Sequence, residues 1–213
     1  MPEKEISQAV IGRMPRYFRY VKELKEEGRS RISSRELSDI MNVTASQIRQ
    51  DFNNFGGFGQ QGYGYNIDFL YDELHKILGL DKARHMIVVG YGNLAKALVG
   101  NSNFSSNGFS FDAGFDIEER VAEAENTPIP LFPVSELESY IEDHIVDIAV
   151  ITIPKSVTEI MVSRLVKAGI KAIWNFSPVD LNVPDDVTVE NVHLQDSLMI
   201  LSYNADNNEK EKK

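Results

Sequence analysis

Hydrophobic residues follow two different patterns along the 213-residue chain, and the change falls near residue 80. In the first part, apolar residues recur at helical spacing, as in Tyr17, Phe18, Val21 and Leu24. In the second part, short apolar runs such as 87–89 alternate with amphipathic segments. The first pattern predicts packed helices, and the second predicts strand–helix units with a parallel sheet. We therefore expect a small helical domain followed by an α/β domain.

The first part contains start and stop signals for four helices after a polar, loose segment at residues 1–12. The predicted helices run from Pro15 to Gly28, from Ser33 or Ser34 to the Asn42-Val43 turn, from Ala45 to about Phe52 and from Ile67 to Gly79. Hydroxyl side chains favour N-caps, and glycine favours helix ends. In the second helix, Leu37, Ile40 and Met41 form the stripe that we expect to be buried. The two central helices and their tight turn predict a helix-turn-helix.

Polar residues on the third helix suit a recognition helix in the major groove of DNA. Ser46, Gln47, Arg49 and Gln50 lie on the side away from Ile48 and Phe52, and Gln and Arg pair with adenine and guanine. On the first helix, a basic stripe repeats every third residue and includes Arg13, Arg16 and Arg19. This stripe predicts either phosphate contacts or an ordinary solvated face.

A glycine- and aromatic-rich stretch at residues 55–65 predicts a two-stranded wing. Gly59 would allow a close approach to DNA, and Gln60 and Gln61 would form the tip, although an ordinary solvated hairpin has the same pattern. Residues 57–62 also spell G-x-G-x-x-G. No apolar strand precedes them and no helix follows them, so we reject them as a nucleotide loop.

A second glycine motif, G-x-G-x-x-A at residues 90–95, has the sequence context that residues 57–62 lack. It lies between the apolar run 87–89 and a small, apolar helix start. Gly90 would form the tight turn, Gly92 would let the backbone approach a pyrophosphate, and Ala95 would let the helix pack closely. Tyr91, Asn93 and Leu94 complete this predicted cofactor-binding loop. The alternative is a plain strand-to-helix turn.

Further candidates for cofactor binding stand at the carboxyl ends of later strands, where open α/β sheets bind ligands. Asp116 ends the second predicted strand and would bind the ribose hydroxyls, which favours NAD(H) over NADP(H); a capping role is the alternative. The other candidates are Thr152, Pro154, Asn175, Phe176 and Ser177. The last strand is predicted at 187–194, a C-terminal helix at 197–203 and a disordered tail at 204–213.

Composition excludes several classes of site. The chain has no cysteine and four scattered histidines, so we expect no disulfide, no thiol nucleophile and no metal. The sequence contains no apolar run long enough to predict a membrane span or a signal peptide. A cytoplasmic location is therefore expected. The net charge is -10, but residues 1–70 carry 10 basic and 9 acidic side chains, so the acidity belongs to the second part. Charge therefore neither supports nor excludes DNA binding.

The order of winged helix, glycine-rich wing and dinucleotide fold resembles the Rex family of redox-sensing transcriptional repressors from about Arg13 to Tyr203. The motifs that carry it are 32–37, 47–52, 55–65, 90–94, 115–116, 175–178 and 201–203. The resemblance implies a homodimer that binds palindromic double-stranded operator DNA when NAD+ is abundant, and release when NADH binds. It also implies a C-terminal helix exchanged between subunits. The expected domains are a winged helix at 1–79, with its helix-turn-helix at 17–55, a Rossmann domain at 80–194 and a C-terminal helix and tail at 195–213.

Several positions depart from that family's pattern. The wing tip and Gln50 lack the usual basic residues, and the residues after Pro154 differ. Members often link an arginine, a tyrosine and an aspartate as a switch; these positions fall on Arg19, Asn101 and His193, of which only Arg19 matches.

Two other functional classes compete with a DNA-binding sensor. An NAD-dependent dehydrogenase would need a substrate domain and a general acid or base, and the sequence offers neither, so we expect no catalytic residues and no enzyme activity. A coenzyme A- or nucleotide-binding module is the other alternative, since the same fold accepts those ligands. The winged domain could also bind protein rather than DNA.

Overall fold

The computed structural model describes residues 6–60 and 63–210 and divides into two compact units, Met1–Lys82 and Ala83–Lys213. The sequence prediction put this boundary between residues 79 and 80. No helix among the described residues is long and apolar enough to cross a membrane.

In its described residues, the first unit combines five helices with a small antiparallel sheet. The helices are α1 (Gln8–Ile11), α2 (Met14–Glu26), α3 (Ser34–Met41), α4 (Ala45–Asn53) and α5 (Ile67–Ile77). The strands are β1 (Arg31–Ile32), β2 (Gly59–Gln60) and β3 (Gly64–Asn66), in the order β1-β3-β2. Helices α3 and α4 with the strands β2 and β3 confirm the predicted winged helix.

Local sequence signals explain where these helices begin. Ser33 accepts a hydrogen bond from the Glu36 backbone amide, and the Glu36 carboxylate accepts one from the Ser33 amide, which completes a capping box. Thr44 and Asn66 cap α4 and α5 in the same way through their side-chain oxygens. Asn42 ends α3 with a left-handed backbone (φ 53°).

The wing is joined to the recognition helix by aromatic packing. The ring of Phe52, at the end of α4, lies 4.9 Å from that of Tyr17, 5.3 Å from that of Phe58 and 5.2 Å from that of Tyr65, all in edge-on arrangements. Residues from α2, α4 and the wing therefore share one core.

The second unit is a six-stranded parallel sheet with helices. Its strands are β4 (Arg84–Val89), β5 (Phe109–Asp116), β6 (Leu131–Pro133), β7 (Ile148–Ile151), β8 (Ala172–Asn175) and β9 (Thr188–Asn191). Its helices are α6 (Asn93–Val99), α7 (Ser102–Ser105), α8 (Glu118–Ala122), α9 (Leu137–Asp143, preceded by a 3-10 turn at Val134–Glu136), α10 (Lys155–Lys167) and α11 (Leu194–Lys210).

The strand order β6-β5-β4-β7-β8-β9 is that of the dinucleotide-binding doubly wound fold, which confirms the predicted Rossmann-type domain. Ile87 and Val89 enter the core on one side of the sheet, while Met86 and Val88 enter the core on the other. Both faces of β4 are thus buried, which explains its uninterrupted apolar run. The chain reverses its winding direction between β4 and β7, and ligands of such sheets bind at that reversal.

Several expectations were wrong in detail. Residues 8–11 form α1 with Val10 buried, although a loose segment was expected, and strand β1 was not foreseen. Ile40 is 41% exposed rather than buried. Strand β9 ends at Asn191, and α11 continues to Lys210 through residues expected to be disordered.

Candidate functional site

The loop between β4 and α6 has the geometry of a tight glycine turn. Gly90 has φ +92°, and a Cβ there would lie 2.5 Å from Ile153 Cγ2 and 2.9 Å from the Thr152 carbonyl oxygen. Gly92 is the N-cap of α6, and a Cβ there would meet only Arg120, at 3.9 Å. Ala95, within α6, is fully buried. The turn therefore needs Gly90 for folding, whereas Gly92 leaves open space above its backbone.

Thr152 follows β7 and links the glycine turn to the end of that strand by hydrogen bonds. Its hydroxyl donates to the carbonyl oxygens of Gly90, at 2.6 Å, and of Val89, at 3.1 Å. Pro154 is the N-cap of α10, and its carbonyl accepts from the Thr158 hydroxyl. Both predicted residues thus lie at the same sheet edge as the glycine turn.

Asp116, the last residue of β5, also lies against the turn. One carboxylate oxygen accepts from the backbone amide of Tyr91 (2.7 Å) and the other accepts from that of Ile117 (2.8 Å). Arg120 Nη1 stands 3.7 Å from the first oxygen. Because each carboxylate oxygen has a second lone pair, Asp116 can hold the turn and still accept a hydrogen bond from a hydroxyl group; the N-cap of α8 is Ile117.

An open cleft of about 390 Å³ lies over the turn. Its lining residues are Tyr91, Gly92, Asn93, Lys96, Arg120, Glu123 and Ala124. Burial raises the pKa of the Tyr91 phenol, so this ring stays neutral in the wall of the cleft. The basic Lys96 and Arg120 were missed by sequence analysis, although Arg120 follows Asp116 by one helical turn and that spacing was an available signal. Chemically, the cleft offers a glycine backbone, two cations and a carboxylate to a polar, anionic ligand.

The side chains of Asn175 and Ser177, predicted to bind a cofactor, form hydrogen bonds within the protein. Both side chains are buried. Asn175 donates to the Val179 carbonyl and to the side chain of Asn191, each at 2.8 Å, and accepts from the Ser177 amide. The Ser177 hydroxyl bonds that of Thr158 at 2.7 Å. These hydrogen bonds shape the loop after β8, and cofactor contacts from Asn175, Phe176 and Ser177 stay a prediction; Phe176 is half-buried.

On the first unit, some residues predicted to contact DNA are exposed to solvent, whereas others form hydrogen bonds within the protein. Ser46, Arg49 and Gln50 are exposed, and Arg49 donates to the Ser34 hydroxyl at 2.9 Å. An open groove of about 660 Å³ lies beside them, lined by the start of α3, by α4 and by wing residues including Gly59. The Gln60 side chain and Gln61 lie outside the described residues.

The sequence analysis did not identify Asp51, a buried carboxylate in the recognition helix α4. Asp51 is 1% exposed and accepts from Arg13 Nε and Nη2 (both 2.7 Å), from the Tyr17 hydroxyl (2.8 Å) and from Gln47 Nε2 (2.7 Å). We refer to these four residues as the Asp51 cluster. Burial opposes ionisation of Asp51, but the hydrogen bonds from Arg13, Tyr17 and Gln47 outweigh it and hold its pKa below the ordinary value.

Three residues predicted to contact DNA form hydrogen bonds within the protein, two of them in the Asp51 cluster. Arg13 is committed to Asp51, and the amide nitrogen of Gln47 is committed to the same carboxylate. Arg16 donates to the Met41 carbonyl, so this side chain joins α2 to the end of α3. Arg13 and Arg16 therefore bond within the domain, Arg16 stays exposed, and phosphate contacts from their remaining N–H groups stay a prediction.

Within residues 6–60 and 63–210, the hydrogen bonds and charged contacts of the three predicted switch residues are with neighbours in the chain. Arg19 lies over the Tyr20 ring at 5.5 Å, and Asn101 caps α7 by accepting from the Asn103 amide. His193 lies beyond β9 rather than in it; its Nδ1 is 3.6 Å from Asp196, and its buried Nε2 has no hydrogen-bond partner among the described residues. Coupling among the three stays a prediction.

Comparisons with known proteins divide the chain in the same way. Residues 5–53 match a family model described as "Putative DNA-binding protein N-terminus". Residues 81–179 match one described as "CoA binding domain".

Two similar proteins each bear the description redox-sensing transcriptional repressor Rex. That of Thermoanaerobacter pseudethanolicus is 52% identical over 209 residues, which cover 98% of this chain and 93% of the relative. That of Clostridioides difficile is 50% identical over 200 residues, or 94% and 95% of the two chains.

Crystal structures of RSP, a Rex-family repressor, share the fold. The complex of RSP with beta-NAD+ and operator DNA is 51% identical, with a TM-score of 0.90 over 98% of this chain and 96% of that chain. The complex with beta-NADH is 48% identical, with a TM-score of 0.89 over 98% of both chains.

Proposed function

Because this chain belongs to the Rex family of redox-sensing transcriptional repressors, we propose that it binds palindromic operator DNA as a homodimer and leaves it when NADH occupies the cleft. The observation that carries the proposal is one chain that joins a winged helix to a glycine turn at the reversal point of a Rossmann-type sheet. NAD+ would occupy the same cleft without causing release.

The cleft supports a dinucleotide by its backbone and its charges. The pyrophosphate would lie against Gly92 and the start of α6, where unpaired N–H groups carry partial positive charge. Asp116 would accept from the adenine ribose hydroxyls, which favours NAD(H) over NADP(H). RSP, which shares this fold, was crystallised with both NAD+ and NADH.

The DNA surface would use the exposed residues of α4 together with the wing. We propose base or phosphate contacts from Ser46, Arg49 and Gln50, and a close backbone approach at Gly59. The relative RSP was crystallised with operator DNA, which supports this assignment. Gln60 and Gln61 would contact DNA at the wing tip with fewer cations than is usual in the family.

Helix α11 supports a homodimer. Large apolar side chains are exposed along it, with Leu198, Met199 and Leu201 each more than 60% exposed. A surface of this kind marks an interaction site. We propose that a second copy of the chain covers it by exchange of the helix.

We also propose that this chain is a regulator and not an enzyme, because the similar proteins are described as transcriptional repressors. We place the protein in the cytoplasm, with the chromosome that a repressor must reach.

The test is fluorescence anisotropy of a labelled palindromic operator duplex, titrated with NADH, NAD+ and coenzyme A in separate arms. We expect NADH alone to raise the apparent dissociation constant of the DNA. DNA binding that ignores both dinucleotides would contradict redox sensing, and release by coenzyme A alone would favour the coenzyme A-binding alternative. Oxidation of NADH by simple carbonyl substrates would contradict the non-enzymatic assignment.

A further inference from the structure

The Asp51 cluster imposes an orientation on one side chain of the recognition helix. An ionised carboxylate accepts hydrogen bonds and donates none. The Gln47 amide must therefore turn its NH2 group toward Asp51, at 2.7 Å, and its carbonyl oxygen away from it. A free glutamine has no such preference, because its amide can rotate to present either group.

The oxygen that is turned away is available to a ligand. Within the described part of the chain, Gln47 Oε1 accepts no hydrogen bond, and it does not belong to the buried polar atoms without a partner. It therefore faces solvent. Gln47 is the third residue of α4, and the N-terminal residues of a recognition helix are those that contact base edges.

We propose that Asp51 is a positioning residue for DNA recognition, which holds Gln47 so that its carbonyl oxygen accepts a hydrogen bond from a base N–H group in the major groove. The donors there are N6 of adenine and N4 of cytosine. Phosphate oxygens carry no proton at neutral pH and cannot serve. The inference rests on the proposed DNA binding and adds to it a base preference at one position of each half-site.

Two other members of the cluster serve to hold the carboxylate. Arg13 bonds both oxygens of Asp51, and Tyr17 bonds the oxygen that Gln47 does not use. Removal of the Tyr17 hydroxyl leaves the Arg13 and Gln47 bonds in place. Tyr17→Phe is therefore a matched control, since it weakens the same buried site without releasing Gln47.

The experiment selects operator sequences from a double-stranded DNA library that carries a randomised inverted repeat. The full-length wild type and the variants Gln47→Ala, Asp51→Asn, Tyr17→Phe and Gln50→Ala are each used for selection, and the base preference is measured at every position. Thermal unfolding of each variant reports whether it is folded at the selection temperature.

For Gln47→Ala, we expect a loss of roughly tenfold discrimination at one base pair per half-site, with the other positions unchanged. Asp51→Asn should change the preferred base at that same pair, because the asparagine amide can donate to Gln47 Oε1 and turn the NH2 group outward. Tyr17→Phe should keep the wild-type preference, and Gln50→Ala should affect a different pair.

Two results would overturn the inference. One is a Gln47→Ala profile identical to that of the wild type. The other is a folded Asp51→Asn variant whose affinity falls equally for all sequences, since a merely structural carboxylate would act in that way. If the wild type enriches no duplex even at low salt, the proposed DNA binding itself is wrong and the inference falls with it.

Discussion

Two glycines in one turn serve different purposes, and substitutions separate them. Alanine at Gly90 would have to adopt φ +92° and approach Ile153 and Thr152 within 3 Å, whereas alanine at Gly92 meets nothing closer than 3.9 Å. We expect Gly90→Ala to destabilise the second unit by about 1–3 kcal/mol. Gly92→Ala should leave stability unchanged and weaken NADH binding at least tenfold, because its methyl group would occupy the space proposed for the pyrophosphate.

Denaturant unfolding and NADH titration of both variants check this pair of expectations. Equal loss of stability in the two variants would show that Gly92 also serves the fold. Unchanged NADH affinity in Gly92→Ala would place the pyrophosphate elsewhere.

The Asp51 carboxylate makes stability of the first unit depend on pH. Burial opposes its ionisation, but its three hydrogen-bonding partners lower its pKa in the folded state. A lowered pKa means that the stabilisation is present above the unfolded value of about 3.9 and is lost as the pH falls through the folded value. The difference in unfolding free energy between wild type and Asp51→Asn should therefore be constant near neutral pH and shrink below about pH 4.

Urea unfolding of the two proteins across that pH range measures the difference. The exposed Asp39 supplies a matched control, and Asp39→Asn should leave stability within about 0.5 kcal/mol at every pH. A difference between wild type and Asp51→Asn that does not shrink in acid would contradict a folded-state pKa of Asp51 below its unfolded value.

At the scale of the element, the start of α3 depends on its capping box. Ser33→Ala removes the oxygen that accepts from the Glu36 amide at 3.1 Å and should cost about 1 kcal/mol. Glu36 has a pKa of about 2, held down by hydrogen bonds from the Ser33 backbone and side chain and from Arg29. Thermal unfolding measures the loss of stability. Ser38→Ala, within the same helix, is the control variant. An equal loss of stability in both variants would contradict a capping role for Ser33.

Helix α11 makes a prediction about assembly. Leu198 and Leu201 lie one turn apart, and both are more than 60% exposed. The double variant Leu198→Glu/Leu201→Glu should shift the protein toward monomer in analytical ultracentrifugation. It should also weaken operator binding, because a dimer binds both half-sites of a palindrome at once and therefore more tightly than a monomer binds one. Asn204→Glu/Asp206→Asn on the same helix should not; a dimer that survives the leucine changes would show that α11 does not join the subunits.

At the scale of the whole molecule, the proposed sensing is a coupling between two sites. If NADH weakens operator binding by some factor, operator DNA must weaken NADH binding by the same factor. We expect a factor in the usual range of about 5–150, even though Asn101 and His193 depart from the family's switch. NADH titrations with and without saturating operator measure it, and a factor of one would mean that these two positions have uncoupled the sites.

The sequence determined those features that depend on neighbours along the chain. The capping box of α3 and the N-caps of α4 and α5 join residues three apart, and the glycines of the turn after β4 could be recognised from the apolar strand before them and the helix start after them. Regular apolar spacing then identified the helices and the parallel strands. Both domains followed from these signals, with errors at α1, β1, β9 and α11, where short elements and chain ends carry little pattern.

Tertiary structure alone decided which polar side chains are free to bind a ligand. Arg13 and Asp51 are 38 residues apart, and Asn175 and Asn191 are 16 apart, so no local pattern pairs them. A buried polar group must find a hydrogen-bond partner, and packing rather than spacing decides which group is near enough. For that reason the sequence could list Arg13, Gln47, Asn175 and Ser177 as candidates for binding, whereas the fold shows that each already holds another part of the protein in place.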